Sequence, residues 1–204
     1  MNVFTFFVST LIIILIPGTG VIYTISVSIS KGNKASILAA FGCTVGIIPH
    51  LCISIALSSL LVNMSSSAFT IMKLLGTLYL LYLGAGMMRS KSKLELGHVT
   101  TEEKPIQIAY RGILINLLNP QLTLFFFSFL PQYVNSNGKH YVIESFIYGL
   151  IVMILTLIVF IGYGILGGII KQLIFNSPKR INLLQRLFGI IFIVFAVRLA
   201  LSGL

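Results

Sequence analysis

The chain has 204 residues, of which 57% are hydrophobic and 9% charged, and its mean hydropathy is +1.03. That composition excludes a soluble globular domain and points to a lipid bilayer. The formal net charge of +10 requires no nucleic-acid partner, because basic loops facing anionic headgroups account for it.

Apolar runs lie near residues 3–25, 35–62, 68–88, 107–131, 142–170 and 183–203. Each is long enough, at about 20 residues per span, to cross the hydrocarbon as a helix. The runs are continuously apolar and do not alternate, which predicts helices and not barrel strands. The expected fold is all-α, a polytopic membrane protein of six transmembrane helices.

Nothing basic precedes Phe4 and no small-residue cleavage pattern follows the first run, so it is expected to remain as helix one. It contains Leu15-Ile16-Pro17-Gly18-Thr19-Gly20. Pro17 lacks an N–H and collides with the preceding turn, which predicts that the helix unwinds there and restarts after Gly18. At ~1.5 Å per residue from Val3, Pro17 lies ~21 Å along the helix, a little beyond mid-membrane. A restarted helix offers unpaired N–H groups and the positive end of its dipole to a carboxylate. The freed carbonyls of Leu15 and Ile16 suit an ammonium group. A simple kink held by neighbouring helices is the structural alternative. Beyond the break, Thr19, Tyr23, Ser26 and Ser30 recur at helical spacing and form one polar face.

Helix two carries Gly42, Gly46 and His50 at spacings of four. The glycines suit close helix packing. His50 follows Pro49 and is the histidine well inside a span, His98 and His140 lying in loops. Imidazole changes charge near neutral pH, so His50 is the proton-coupling candidate, with a hydrogen-bonded structural histidine as the alternative. Helix three carries Lys73 and Gly76 and is followed by a charge-rich segment from Arg89 to Arg111. Helix four holds a second interruption, Asn116-Leu117-Leu118-Asn119-Pro120, and Asn116, Asn119 and Thr123 share a polar face. Asparagine is hard to hide in a membrane. The predicted substrate-binding residues are therefore Pro17, Gly18, Thr19, Gly20, Tyr23, Asn116, Asn119, Pro120 and Thr123. Tyr133, Tyr141 and Tyr148 read as interfacial anchors.

The halves repeat. Lys73 to Tyr82 aligns with Arg186 to Phe195, so that Gly76 matches Gly189, a second pair of packing positions. Pro17 matches Pro120 and Gly46 matches Gly149 at a constant shift, the extra residues of the last match fitting a connection around Phe175 to Asn182. Three spans per half require opposite insertion, which predicts two inverted three-helix repeats, residues 1–90 and 107–204, joined by a charged linker over 91–106. Matching interruptions in two such halves point to a central transport site. The loops after helices one, three and five carry 11 of the 14 Lys plus Arg residues. This bias predicts cytoplasmic basic loops and both termini outside.

The early Pro-Gly-x-Gly, the stretch from Lys73 to Gly84, and Asn116 to Pro120 running into Phe129-Leu130-Pro131-Gln132-Tyr133 resemble the LysE/RhtB type of amino-acid exporter. The likeness covers essentially the whole chain. It implies a six-helix inner-membrane protein that exports amino acids or close derivatives with the proton gradient. Thr156 stands about where many members carry an acidic residue in the fifth helix, so no carboxylate proton site carries over.

The expected function is export of a neutral amino acid or related small metabolite by a secondary transporter, with protons and the bilayer as partners and a homodimer as its plausible assembly. An enzyme is disfavoured, because the acids Glu95, Glu102, Glu103 and Glu144 lie in loops or at a helix edge and no metalloprotease or phosphate-loop motif is present. A thiol electron carrier is disfavoured as well. Cys43 and Cys52 sit ~13 Å apart along one helix, beyond the reach of a disulfide, and read as buried, inert thiols. A cation or metal exporter of the same superfamily and a non-transport scaffold remain as alternatives, although the chain offers no clustered metal ligands. No cofactor is expected.

Overall fold

A computed structural model describes residues 3–62, 66–89, 103–119, 122–123, 125–126, 130, 133–134 and 141–201. Pro120 and most of the expected 91–106 linker lie outside them. Among the described residues the chain is helical without strands. In order come α1 (Val3–Ile14), α2 (Thr19–Lys31), α3 (Asn33–Val45), α4 (Ile48–Val62), α5 (Ser66–Arg89), α6 (Pro105–Leu117), α7 (Tyr141–Ile165), a short α8 (Gly167–Ile170) continuing into a π-helical turn (Lys171–Phe175), and α9 (Pro178–Leu201). Asn33–Ala56, Tyr141–Ile165 and Pro178–Leu201 are long and apolar enough to span a membrane, and α1 with α2 makes a fourth span if the bent pair is counted as one.

Proline chemistry sets the interruptions. Pro17 cannot donate to Ile13 O, and the Ile16 N–H takes that carbonyl instead at 3.1 Å. The helix stops, and α1 and α2 are bent by 56° across the gap. The second run, expected to be unbroken, has a turn at Gly46–Ile47 between α3 and α4. Its cause is Pro49, whose ring excludes a normal preceding turn; the Ile47 N–H bonds Thr44 O at 3.0 Å and leaves the Cys43 carbonyl without its helical donor. At the other end of the molecule the expected connection near Phe175–Asn182 is mostly helical. The π-helical turn reaches Phe175, and α9 starts with Pro178 at its first position, where a missing N–H costs nothing.

Between α2 and α3 the chain reverses through Gly32, whose φ of 81° is natural only to glycine. This folds α3 back on α2 and brings its small face against α6. A Cβ added at Gly46 would lie 2.6 Å from Ile113 O, and one at Gly112 would lie 2.9 Å from both Ala39 O and Cys43 N. Gly42 packs on the Ala109 backbone in the same seam. Backbones therefore touch, as small-residue membrane packing requires. Helices α2 and α7 flank this seam and complete the core.

A second seam joins α5 to α9. Gly189 packs on Gly84 and Met88, while its sequence counterpart Gly76 is buried elsewhere on α5. This pair contacts the remaining helices sparingly. Two further expectations are corrected. Tyr133 and Tyr141 are buried, with Tyr133 meeting the Phe6 ring edge-on at 5.0 Å. Cys43 is buried as expected, but Cys52 is exposed on the bundle surface.

Replacing Gly42 with Val forces a side chain into the Ala109 backbone and should lower stability by about 1–3 kcal/mol. Gly162→Ala meets nothing within 4 Å and should leave stability unchanged or raise it by up to about 1 kcal/mol. Unfolding of the purified variants in detergent checks both.

Candidate functional site

The interrupted helices meet at one junction. Helix α6 ends at Leu117, and helical bonding resumes where the Leu122 and Thr123 N–H groups bond Asn119 O at 3.1 and 3.4 Å. Pro120 provides no N–H, so Asn116 O lacks its donor four residues on. Two groups take its place: the Asn119 N–H at 3.1 Å and His50 Nε2 at 2.9 Å. A carbonyl only accepts, which assigns the Nε2 proton and leaves Nδ1 of the neutral ring as an acceptor. Thr123 Oγ1 lies 2.8 Å from Nδ1 and donates to it while the ring is neutral.

The Asn116 side chain returns the favour. Its Nδ2 donates at 2.8 Å to Cys43 O, the carbonyl orphaned by the turn at Gly46–Ile47. Its Oδ1 faces Gly20, where an added Cβ would lie 2.7 Å away. Asn119 Nδ2 reaches Thr19 Oγ1 at 3.4 Å, so the first and second interruptions touch through both asparagines.

A cavity of about 100 Å³ separates this junction from the α5–α9 pair, with room for several waters or a small solute. Ile13, Ile14, Ile16 and Val21 form its wall on the first break, and Leu122 and Val152 extend it. Phe125, Phe160, Phe192 and Phe195 add aromatic surface. Polar lining comes from Gly18, Gly20, Asn116 and Asn119, together with Tyr79 and Thr156. The Thr156 hydroxyl is bonded to Val152 O of its own helix. Arg198 is the charged residue of the lining.

Of the residues singled out in sequence, Gly18, Gly20, Asn116 and Asn119 thus converge on the cavity. Pro17, Thr19, Thr123 and His50 stand behind it as supports, and Pro120 lies outside the described residues. Tyr23 faces elsewhere. Its hydroxyl donates to Ile108 O at 2.8 Å and its ring sits 5.7 Å from the Arg111 guanidinium, fastening α2 to α6. Ser26 bonds Ile22 O on its own helix, so two of the four residues of the expected polar face, Tyr23 and Ser26, close on protein, while Thr19 and Ser30 are exposed.

The break is also less open than its sequence suggests. Leu15 O accepts from the Tyr163 hydroxyl at 2.7 Å and Ile16 O from the Gly18 N–H at 2.8 Å, so neither waits for an ammonium group. The amide end of α2, by contrast, has no side-chain cap at Gly18.

Sequence reasoning misses the wall supplied by α5 and α9. A signal was there: Phe192, Phe195 and Arg198 recur at spacings of three and share a helix face. Nothing local says that this face turns toward the broken helices.

Asn116→Ala removes the donor to a buried carbonyl and should cost about 1–3 kcal/mol. Tyr23→Phe, which loses one hydrogen bond to Ile108 O, should cost about 1 kcal/mol. Detergent unfolding midpoints are expected to rank wild type above Tyr23→Phe and Tyr23→Phe above Asn116→Ala.

Comparison with known proteins follows the same lines. The family model for the LysE type translocator matches residues 11–203. A leucine efflux protein of Klebsiella pneumoniae is 27% identical over 98% of this chain and 95% of its own length. Leucine efflux proteins of Salmonella choleraesuis and Salmonella paratyphi A are each 28% identical over 98% of this chain and 95% of theirs. No solved structure matches. The chain belongs to the family of LysE type translocators, and it is a membrane transport protein, not an enzyme.

Proposed function

We propose that this translocator exports neutral amino acids with apolar side chains, or closely related small metabolites, across the cytoplasmic membrane, and that a proton gradient drives it. The observation that carries the reading is the cavity between the broken helices and the α5–α9 pair. Its aliphatic and aromatic walls suit a branched side chain, while the uncapped start of α2 and the amides of Asn116 and Asn119 suit a zwitterionic head group. The leucine efflux proteins among its relatives agree with that chemistry.

In this reading His50 couples the proton. Protonation puts a hydrogen on Nδ1, so the Thr123 hydroxyl must turn from donating to accepting, while Nε2 keeps its bond to Asn116 O. The new charge then bears on Asn116, which forms part of the cavity wall. The transport unit is six spans in two inverted halves, residues 1–90 and 107–204, with basic loops in the cytoplasm and both termini outside, assembled as a homodimer. Antiparallel packing of α5 on α9 supports the inversion, since Met88 lies against Gly189 and Gly84 against Ile193. The third spans of inverted halves must run in opposite directions.

Proteoliposomes carrying the full chain and loaded with labelled L-leucine are expected to release it faster than protein-free liposomes, and faster still with an imposed proton gradient. Equal release with and without protein would refute the export reading. His50→Gln is expected to keep leucine binding and lose the response to the gradient; an intact response would take His50 out of the coupling role.

A further inference from the structure

Among the described residues, Arg198 is the charged member of a lining that is otherwise neutral and mostly apolar. It belongs to the last turn of α9, is exposed, and lines the cavity. Among the described residues it has no ion pair and no hydrogen bond. The described acids do not neutralise it: Glu103 pairs with Arg111 at 2.7 Å, and Glu144 begins α7 without reaching Arg198.

The packing register gives Arg198 a companion. Met88 of α5 lies against Gly189 of α9, and the helices run antiparallel. Nine residues back from Met88 is Tyr79, and nine on from Gly189 is Arg198, which sets both at a similar height, two and a half turns from the seam contact and so on helix faces turned away from it. Both line the cavity. A guanidinium fork and a phenol hydroxyl lining one cavity make a donor-only set when the hydroxyl turns toward a ligand. That arrangement matches the two oxygens of a carboxylate.

We propose that Arg198 and Tyr79 form a carboxylate-binding station in the lining of the cavity, which receives the acid group of the exported amino acid and sets its orientation. The inference rests on the export reading above for its substrate class. It also assigns specificity. A substrate with a cationic side chain would bring a second positive charge to Arg198 with no lining acid to offset it, whereas an aliphatic side chain meets Leu80, Leu83 and Phe195.

Equilibrium binding of labelled L-leucine to the purified full-length chain in detergent tests this, with unlabelled L-leucine and L-leucinamide as competitors. Leucinamide keeps the side chain and the amine but has no carboxylate. Wild type is expected to prefer leucine over leucinamide by about tenfold or more, the range of a charge-assisted hydrogen bond. Arg198→Gln should bring that ratio near one, Arg198→Lys should retain part of it, and Tyr79→Phe should lower it by a smaller factor. Unfolding midpoints for each variant separate lost recognition from lost folding. If Arg198 serves only to snorkel toward headgroups, Arg198→Gln will change stability and keep the leucine preference, which overturns the proposal. Preference kept in Arg198→Gln alongside normal efflux removes this station and leaves the export reading standing. Preference lost in Arg198→Gln with no wild-type efflux does the reverse.

Discussion

Two helices each lose a backbone hydrogen bond, and each supplies the side chain that restores the other's. The turn at Gly46–Ile47 orphans Cys43 O, which Asn116 Nδ2 satisfies from α6. Pro120 orphans Asn116 O, which His50 Nε2 satisfies from α4. Inside a membrane there is no bulk water to take up an unpaired carbonyl; Cys43 O depends on the neighbouring helix for its partner, and Asn116 O shares its bond to the Asn119 N–H with His50. The exchange is possible only because α3 and α6 touch backbone to backbone at Gly42, Gly46 and Gly112. Were larger side chains to separate these helices, both bonds would lengthen together.

From this junction the rest of the site follows outward. Asn116 is 2% exposed and committed by its Nδ2 to the protein, yet it also forms part of the cavity wall. It can therefore transmit a change at His50 without moving far. The first break is held from the opposite side, where Tyr163 of α7 caps Leu15 O. The polar groups nearest the cavity are thus positioned by partners on other helices, while the apolar walls need only fill space. Precision sits in the hydrogen bonds and tolerance in the hydrophobic surface.

The interruptions were legible in sequence because a proline's missing N–H is a property of one residue. The facing of the side chains was not, because it depends on how helices register against one another. Gly42, Gly46 and His50 share a face by spacing alone, and that face does turn to α6. Tyr23, equally well placed by spacing, turns away from the cavity to bond Ile108 O. The Gly46–Ile47 turn has a signal as local as that of the first break, since Pro49 disturbs the turn before it as Pro17 does. Arg198 carries no local signal of its place, since only the antiparallel packing of α5 and α9 turns it to the cavity. Likewise Tyr133, an amphipathic ring near a helix end, suited the interface by type but is enclosed against Phe6.

The sparse attachment of α5 and α9 to their neighbours has a mechanical meaning. Each seam is locked by touching glycine backbones, and the gap between the seams is bounded chiefly by oily faces. Sliding one rigid pair past the other breaks few directional bonds, so the resistance grows with contact area and little with angle. Such a barrier is adjusted in small steps, one ring or branched chain at a time, leaving the latch between α3 and α6 untouched.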